Sequence, residues 1–176
     1  MQEKRKSLTA EEVQEHSYLI CGNIMRMPQY ESAKNILLYF PIRNEVDITR
    51  LLMDCLCAGK HAFLPVMQDQ NHFEAREYEE FGLMVKNNLN ILEPIDGETI
   101  APGKLDMIVI PGLAFDKSLN RVGFGAGCYD RYLGSAVNAF KVGAAYSFQI
   151  LDRIEQESHD FCLDAIATEH DIIYRV

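Results

Sequence analysis

The chain has 176 residues, 48% hydrophobic and 24% charged, with a net charge of −9. One domain of that size, here spanning 1–176, buries about 70% of its unfolded surface, and its acidic balance argues against a general nucleic-acid or membrane-surface binder, which needs a basic face. No stretch approaches the roughly 20 apolar residues of a membrane span.

Taken in order, the opening MQEKRKSLTAEE is charged and lacks the apolar centre of a signal peptide. Lys4, Arg5 and Lys6 suit either a solvated basic start or a phosphate contact. Thr9-Ala-Glu-Glu12 reads as a capping box opening a helix to about Met27, with Pro28 as its stop. Asn35–Phe40 is a buried strand, and Pro41-Ile-Arg43-Asn44-Glu45-Val46-Asp47 is the loop at its C-terminal end, where ligands gather in open α/β sheets. Glu45 there can accept hydrogen bonds from a ring N–H or amino group, or it can simply complement the N-terminus of the next helix. That helix is expected over Asp47–Lys60, ended by Gly59. Ala62–Val66 is a strand, Phe73–Tyr78 a polar edge strand, and Asn87–Lys104 a surface connection with functional potential.

Leu105–Ile110 is a continuous apolar run suited to a strand covered on both faces. Beyond Pro111-Gly112 lies Arg121-Val122-Gly123-Phe124-Gly125-Ala126-Gly127-Cys128-Tyr129-Asp130. Glycines at alternate positions suit backbone N–H groups turned toward an anion, or a tight connection. The spacing is neither a Walker A nor a dinucleotide fingerprint. Arg121 offers a planar fork of donors, and Asp130, just inside the next helix, a carboxylate able to hold Mg²⁺ against phosphates. A helix over Tyr129–Ala136 and strands at Phe140–Ser147, Ala165–Thr168 and Ile172–Arg175 complete the chain. Strands alternating with helices imply an α/β fold with a mostly parallel sheet, mixed if the late strands run antiparallel. The five cysteines form no C-x-x-C pair, which suits reduced, metal-free thiols in a cytoplasmic protein. Cys128 reads as a small space-filling residue or a reactive thiol near a helix start.

The string PGLAFD, a short turn, then R-x-G-x-G-x-G-x-Y-D-R-Y-L resembles the signature of the 5-formyltetrahydrofolate cyclo-ligase family. The resemblance extends to Asn44-Glu-Val-Asp47, Ile91-Leu-Glu-Pro94 and Asp160-x-x-x-Asp164-x-Ile-x-Thr168-Glu169. It implies a three-layer Rossmann-like fold of the ribose-5-phosphate isomerase and CoA-transferase type, and ATP- and Mg²⁺-dependent closure of 5-formyltetrahydrofolate to 5,10-methenyltetrahydrofolate by a monomer. By the same resemblance the loop 121–129, with Lys4 and Arg5, would bind ATP, and Arg121 and Tyr129 would act in catalysis. Phe40, Glu45 and residues 124–128 would bind the folate, and Asp130 and Asp160 would hold the metal. Asp164 resembles a structural loop residue. Four departures stand out. The family's N-terminal Lys-x-x-x-Arg pair falls before Met1, Val66 replaces a basic residue after Pro65, Phe124 and Ala126 bring no charge between the glycines, and Cys128 stands where Tyr is commoner. They leave two alternatives: a catalytically weak nucleotide- or folate-binding paralogue, and an isomerase-like relative needing neither ATP nor Mg²⁺.

Overall fold

The computed structural model describes residues 1–79, 82–125, 127–155 and 161–175. A short helix α1 (Gln2–Lys6) precedes α2 (Ala10–Met25), whose capping box between Thr9 and Glu12 is formed in both directions. Pro28 does not merely stop that helix. It occupies the first turn of α3 (Pro28–Ser32), where its missing N–H removes a donor that has no intrahelical partner anyway. Strand β1 (Asn35–Leu37) is followed by α4 (Thr49–Cys57), then by β2 (His61–Met67) and β3 (Phe73–Glu77). Gly59, at φ +67°, turns the chain out of α4 as expected.

The stretch read as one connection holds more structure than its Asn, Pro and Gly content suggests. Strands β4 (Met84–Lys86) and β5 (Leu92–Pro94) pair as a hairpin, and β6 (Thr99–Ile100) adds to β3. The edge beside β3 is therefore covered by β6, so β3 is not the edge strand its alternation suggested. Next come β7 (Met107–Ile110), then β8 (Ala114–Asp116) and β9 (Arg121–Val122), an antiparallel pair, then α5 (Cys128–Ser135), β10 (Phe140–Ala144), β11 (Ile150–Leu151), β12 (Ala165–Ala167) and β13 (Ile172–Tyr174).

The main sheet has eight strands in the order β13-β12-β10-β7-β1-β2-β3-β6. The central run from β12 to β2 is parallel, and β13, β3 and β6 are antiparallel additions, so the sheet is mixed. Side chains alternate across it with the period of two that strands impose. Ile36, Met107, Val109 and Val142 pack on one face with Ile20, Ile24 and Leu51 of α2 and α4. Leu37, Ile108 and Ile110 pack on the other with Tyr132 and Leu133 of α5. This is the three-layer α/β arrangement, and the fully buried β7 at its centre accounts for the unbroken apolar run of that strand.

Candidate active site

A cavity of ≈ 740 Å³ opens where the loop after β1 meets the loop between β9 and α5, beyond the carboxyl ends of the central strands. Its first wall is the loop 41–47. Arg43 and Asn44 adopt left-handed backbone conformations, φ +50° and +56°. The Asn44 amide donates to the carbonyls of Arg5 and Leu8 at 3.2 and 3.3 Å, which pins this turn to the N-terminal segment. Behind it the Tyr39 and Tyr146 hydroxyls donate to the carbonyls of Val46 and Glu45, and the Ser17 hydroxyl accepts from the Asp47 amide. The loop is thus fastened on three sides, and Glu45 projects from it into the cavity wall while remaining buried.

Glu45 is poorly provided for. One oxygen accepts from the Ile42 N–H at 3.1 Å, and Arg5 stands 3.8 Å from the other. Burial pushes its carboxyl above the usual range, although the Ile42 N–H and the charges of Arg5 and Arg43 pull the other way. A buried carboxylate with spare acceptor capacity facing a cavity suits a ligand that brings its own N–H donors.

The second wall is the glycine loop. Arg121 leaves β9 with its side chain almost fully buried, and its Nη2 donates to both Asp130 oxygens at 3.0 Å. Its Nε is buried without a hydrogen-bond partner. A Cβ at Gly123 would stand 2.6 Å from Arg121 Nη1, so glycine there makes room for the guanidinium. Gly125, φ +90°, and Gly127, φ +64°, take up backbone conformations that disfavour side chains, and Gly127 is the N-cap of α5. Val122, Phe124, Cys128, Tyr129 and Asp130 all border the cavity. Burial pushes the Tyr129 hydroxyl up and outweighs the opposing effect of Arg121, whose guanidinium sits 5.7 Å over its ring, so at neutral pH the group is a phenol able to donate. Cys128 is half-buried with its thiol also pushed up by burial, which fits the space-filling reading.

Sequence-based expectations are therefore gathered unevenly. Phe40, Glu45, Arg121–Gly125 and Gly127–Asp130 line one cavity. Arg5 is buried behind that wall rather than on it, against Glu45 and 5.4 Å from the Phe124 ring centre. Lys4 is exposed and is not among the lining residues. Ala126 and Asp160 lie outside the described residues. Asp164 accepts from the Lys141 amide at 2.8 Å and fastens β12 to β10, a structural duty.

The sequence model of the 5-formyltetrahydrofolate cyclo-ligase family matches residues 1–169. The chain belongs to this family. Among curated relatives it is 32% identical to the mouse 5-formyltetrahydrofolate cyclo-ligase, over 96% of this chain and 90% of that protein. It is 29% identical to the Escherichia coli K12 enzyme of the same name, over 96% of each. Among solved structures, the NMR structure of Aquifex aeolicus 5,10-methenyltetrahydrofolate synthetase superposes with a TM-score of 0.88 at 34% identity, covering 98% of this chain and 88% of that one. Family membership makes this chain an enzyme, and Glu45, Glu93 and the described residues of the glycine loop line its cavity together.

Several wall residues are not singled out by the sequence. Arg43, Asn87 and Leu89 fall in loops read only as having general functional potential, and Gln70 and Glu155 carry no signal. Glu93 had a partial signal in the Ile-Leu-Glu-Pro string. It is buried, accepts from the Met67 amide at 3.1 Å and from the Asn87 amide group at 2.6 Å, and so holds the β4–β5 hairpin against β2.

Proposed function

We propose that this cyclo-ligase closes 5-formyltetrahydrofolate to 5,10-methenyltetrahydrofolate at the expense of ATP, releasing ADP and phosphate. One observation carries the reading: an under-satisfied buried acid, Glu45, and an arginine-anchored glycine loop border the same cavity. The first suits the N–H edge of a reduced pterin. The second suits a triphosphate, because amides of a glycine loop and a helix start can turn toward anions.

The chemical obstacle is that a formamide carbonyl is a poor electrophile and its oxygen a poor leaving group. Transfer of the γ-phosphoryl of ATP to the formyl oxygen, with ADP leaving, removes both difficulties. N10 of the folate then attacks the activated carbon, the C–O bond breaks, and the departing phosphate takes the proton that N10 loses, leaving the cationic methenyl bridge. This requires positioning and charge neutralisation, not a protein nucleophile. Glu45 orients the pterin, and the adjacent Phe40 gives its ring an apolar wall. Arg121 meets the charge that develops on the transferred phosphoryl group, with Asp130 holding its guanidinium plane. Tyr129 stays protonated and donates a hydrogen bond.

Among the described residues no three His, Cys, Asp or Glu side chains come together as an ion site. Mg²⁺ would ride on the triphosphate, since this ion keeps most of its shell on phosphates and water and takes one or two carboxylates. Asp130, sharing its oxygens with Arg121, and Asp160 are the candidate carboxylates, and the ion would neutralise phosphate charge.

The test is the near-ultraviolet absorbance of the conjugated methenyl product, followed with 5-formyltetrahydrofolate and Mg²⁺, with and without ATP. An ATP-dependent rise is expected. Binding of both ligands with no rise would instead support a non-catalytic paralogue.

A further inference from the structure

Among the described residues two cations line the cavity, Arg43 and Arg121, against the carboxylates of Glu45, Glu93, Asp130 and Glu155. The wall is therefore acidic, and a polyphosphate can settle only where cations answer its charge. Arg121 is already committed to Asp130. Arg5 is buried behind the wall on Glu45, and Lys4 stands off the cavity.

Arg43 differs from all three. It is exposed, it lines the cavity, and no ion pair ties it to a carboxylate among the described residues. Its guanidinium lies over the ring of Phe124, 6.0 Å from the centre, and Phe124 is the residue between the first two glycines of the loop. Its place is set by the loop rather than by chance. The left-handed turn at Arg43 and Asn44 is held by the Asn44 amide on the carbonyls of Arg5 and Leu8. A fastened backbone thus presents a guanidinium at the glycine loop.

We propose that Arg43 is a second phosphate-binding cation of this active site, one that holds the bound triphosphate while Arg121 answers the charge of the phosphoryl group in transfer. In the free enzyme it rests on the Phe124 ring, and when a nucleoside triphosphate enters over the glycine loop it exchanges that ring for a phosphate oxygen. The direction follows from the relative strengths: an exposed cation–π contact is weak, whereas a guanidinium–phosphate pair is a charge-assisted hydrogen bond. The assignment rests on the reading of the cavity as the ATP site. It places in the loop after β1 the charge that Lys4 and Arg5 do not bring to the wall.

Steady-state kinetics on Arg43→Gln and Arg43→Gly test it. Glycine adopts φ +50° without strain, so the second variant keeps the turn if the first disturbs it. In both, KM for ATP should rise about ten-fold, while KM for 5-formyltetrahydrofolate and kcat change less, by about five-fold at most, since Arg43 acts on Glu45 only from beyond ion-pair distance and its ring contact is weak. Arg43→Lys should recover part of the loss. Calorimetric titration with a non-hydrolysable ATP analogue should show the same weakening without turnover. A raised KM for the folate with ATP unaffected would overturn the proposal and assign Arg43 to the substrate's carboxylates. Unchanged constants for both ligands would also overturn it, as would an ATP effect in Lys4→Ala that is missing from Arg43→Gln. Failure of the unsubstituted enzyme to bind ATP at all would refute the functional reading itself, and the assignment with it.

Discussion

Two buried carboxylates show how the same side-chain chemistry serves different ends. Asp116, at the end of β8, is fully buried and receives four hydrogen bonds at 2.8–2.9 Å: from the amides of Ser118, Asn120 and Ile154 and from the Asn120 side chain. Burial alone would raise its pKa, but these donors outweigh it and hold the carboxyl below its usual value. Glu45 is buried to nearly the same degree, has one amide donor and an arginine at 3.8 Å, and is pushed up. The protein completes the coordination of Asp116 and leaves that of Glu45 open. An acid satisfied from within ties the chain together, whereas Glu45 keeps spare acceptor capacity beside the cavity, which the proposed function assigns to the folate.

The largest effects should fall on the closed acid and on the arginine. Asp116→Ala strands four donors, two of them buried, and we expect a loss of about 4 kcal/mol, read as a fall in melting temperature of roughly 10 °C. Arg121→Ala should lower kcat by about 10²–10³-fold, the scale seen when a preorganised donor to developing charge is removed. Circular dichroism should show its fold intact. Unchanged turnover in both Arg121→Ala and Asp130→Ala would remove the catalytic role assigned to the glycine loop.

Glu45→Gln should invert the behaviour of Asp116→Ala. Losing a charge-assisted acceptor should reduce kcat/KM for the folate by about 10–100-fold. Stability at pH 7 should change by no more than about 1 kcal/mol, since the relief of burying the charge offsets the lost Arg5 partner. A large stability loss with normal turnover would make Glu45 another structural acid and break the contrast.

The smallest effects lie in the pH dependence. With its folded pKa below the ordinary 3.8, Asp116 contributes stability that is present above 3.8 and disappears as pH falls through the folded value. Glu45 has the opposite sign. Its folded pKa lies above the ordinary 4.5, so between 4.5 and the raised value the folded state binds more protons and stability declines as pH rises. The acidic limb of kcat/KM should accordingly lie above pH 4.5, and Glu45→Gln should flatten it. Persistence of that limb in the variant would assign it to another group.

Legibility in the sequence followed the range of the interaction. The capping box at Thr9, the buried β7 and the helix start after the glycine loop are local patterns, and all are present, whereas the direction of β13 against β12, left open by the sequence, is antiparallel. The β4–β5 hairpin is not legible because Met84–Lys86 and Leu92–Pro94 are only three residues each, too short to carry a strand period. The alternation over Phe73–Tyr78 suggests an edge strand because it reports which face is buried, not that β6 pairs alongside it.

By itself the sequence determined the α/β class, the order of most elements and the family, because alternation, capping and glycine spacing are written within a few residues of one another. Tertiary structure alone decided which charges share the cavity. Arg5 and Arg43 are indistinguishable as isolated guanidinium groups, yet one is buried on Glu45 and the other faces the cavity. The difference is made by the Asn44 amide reaching back to the carbonyls of Arg5 and Leu8, a contact between segments more than thirty residues apart that no local pattern encodes.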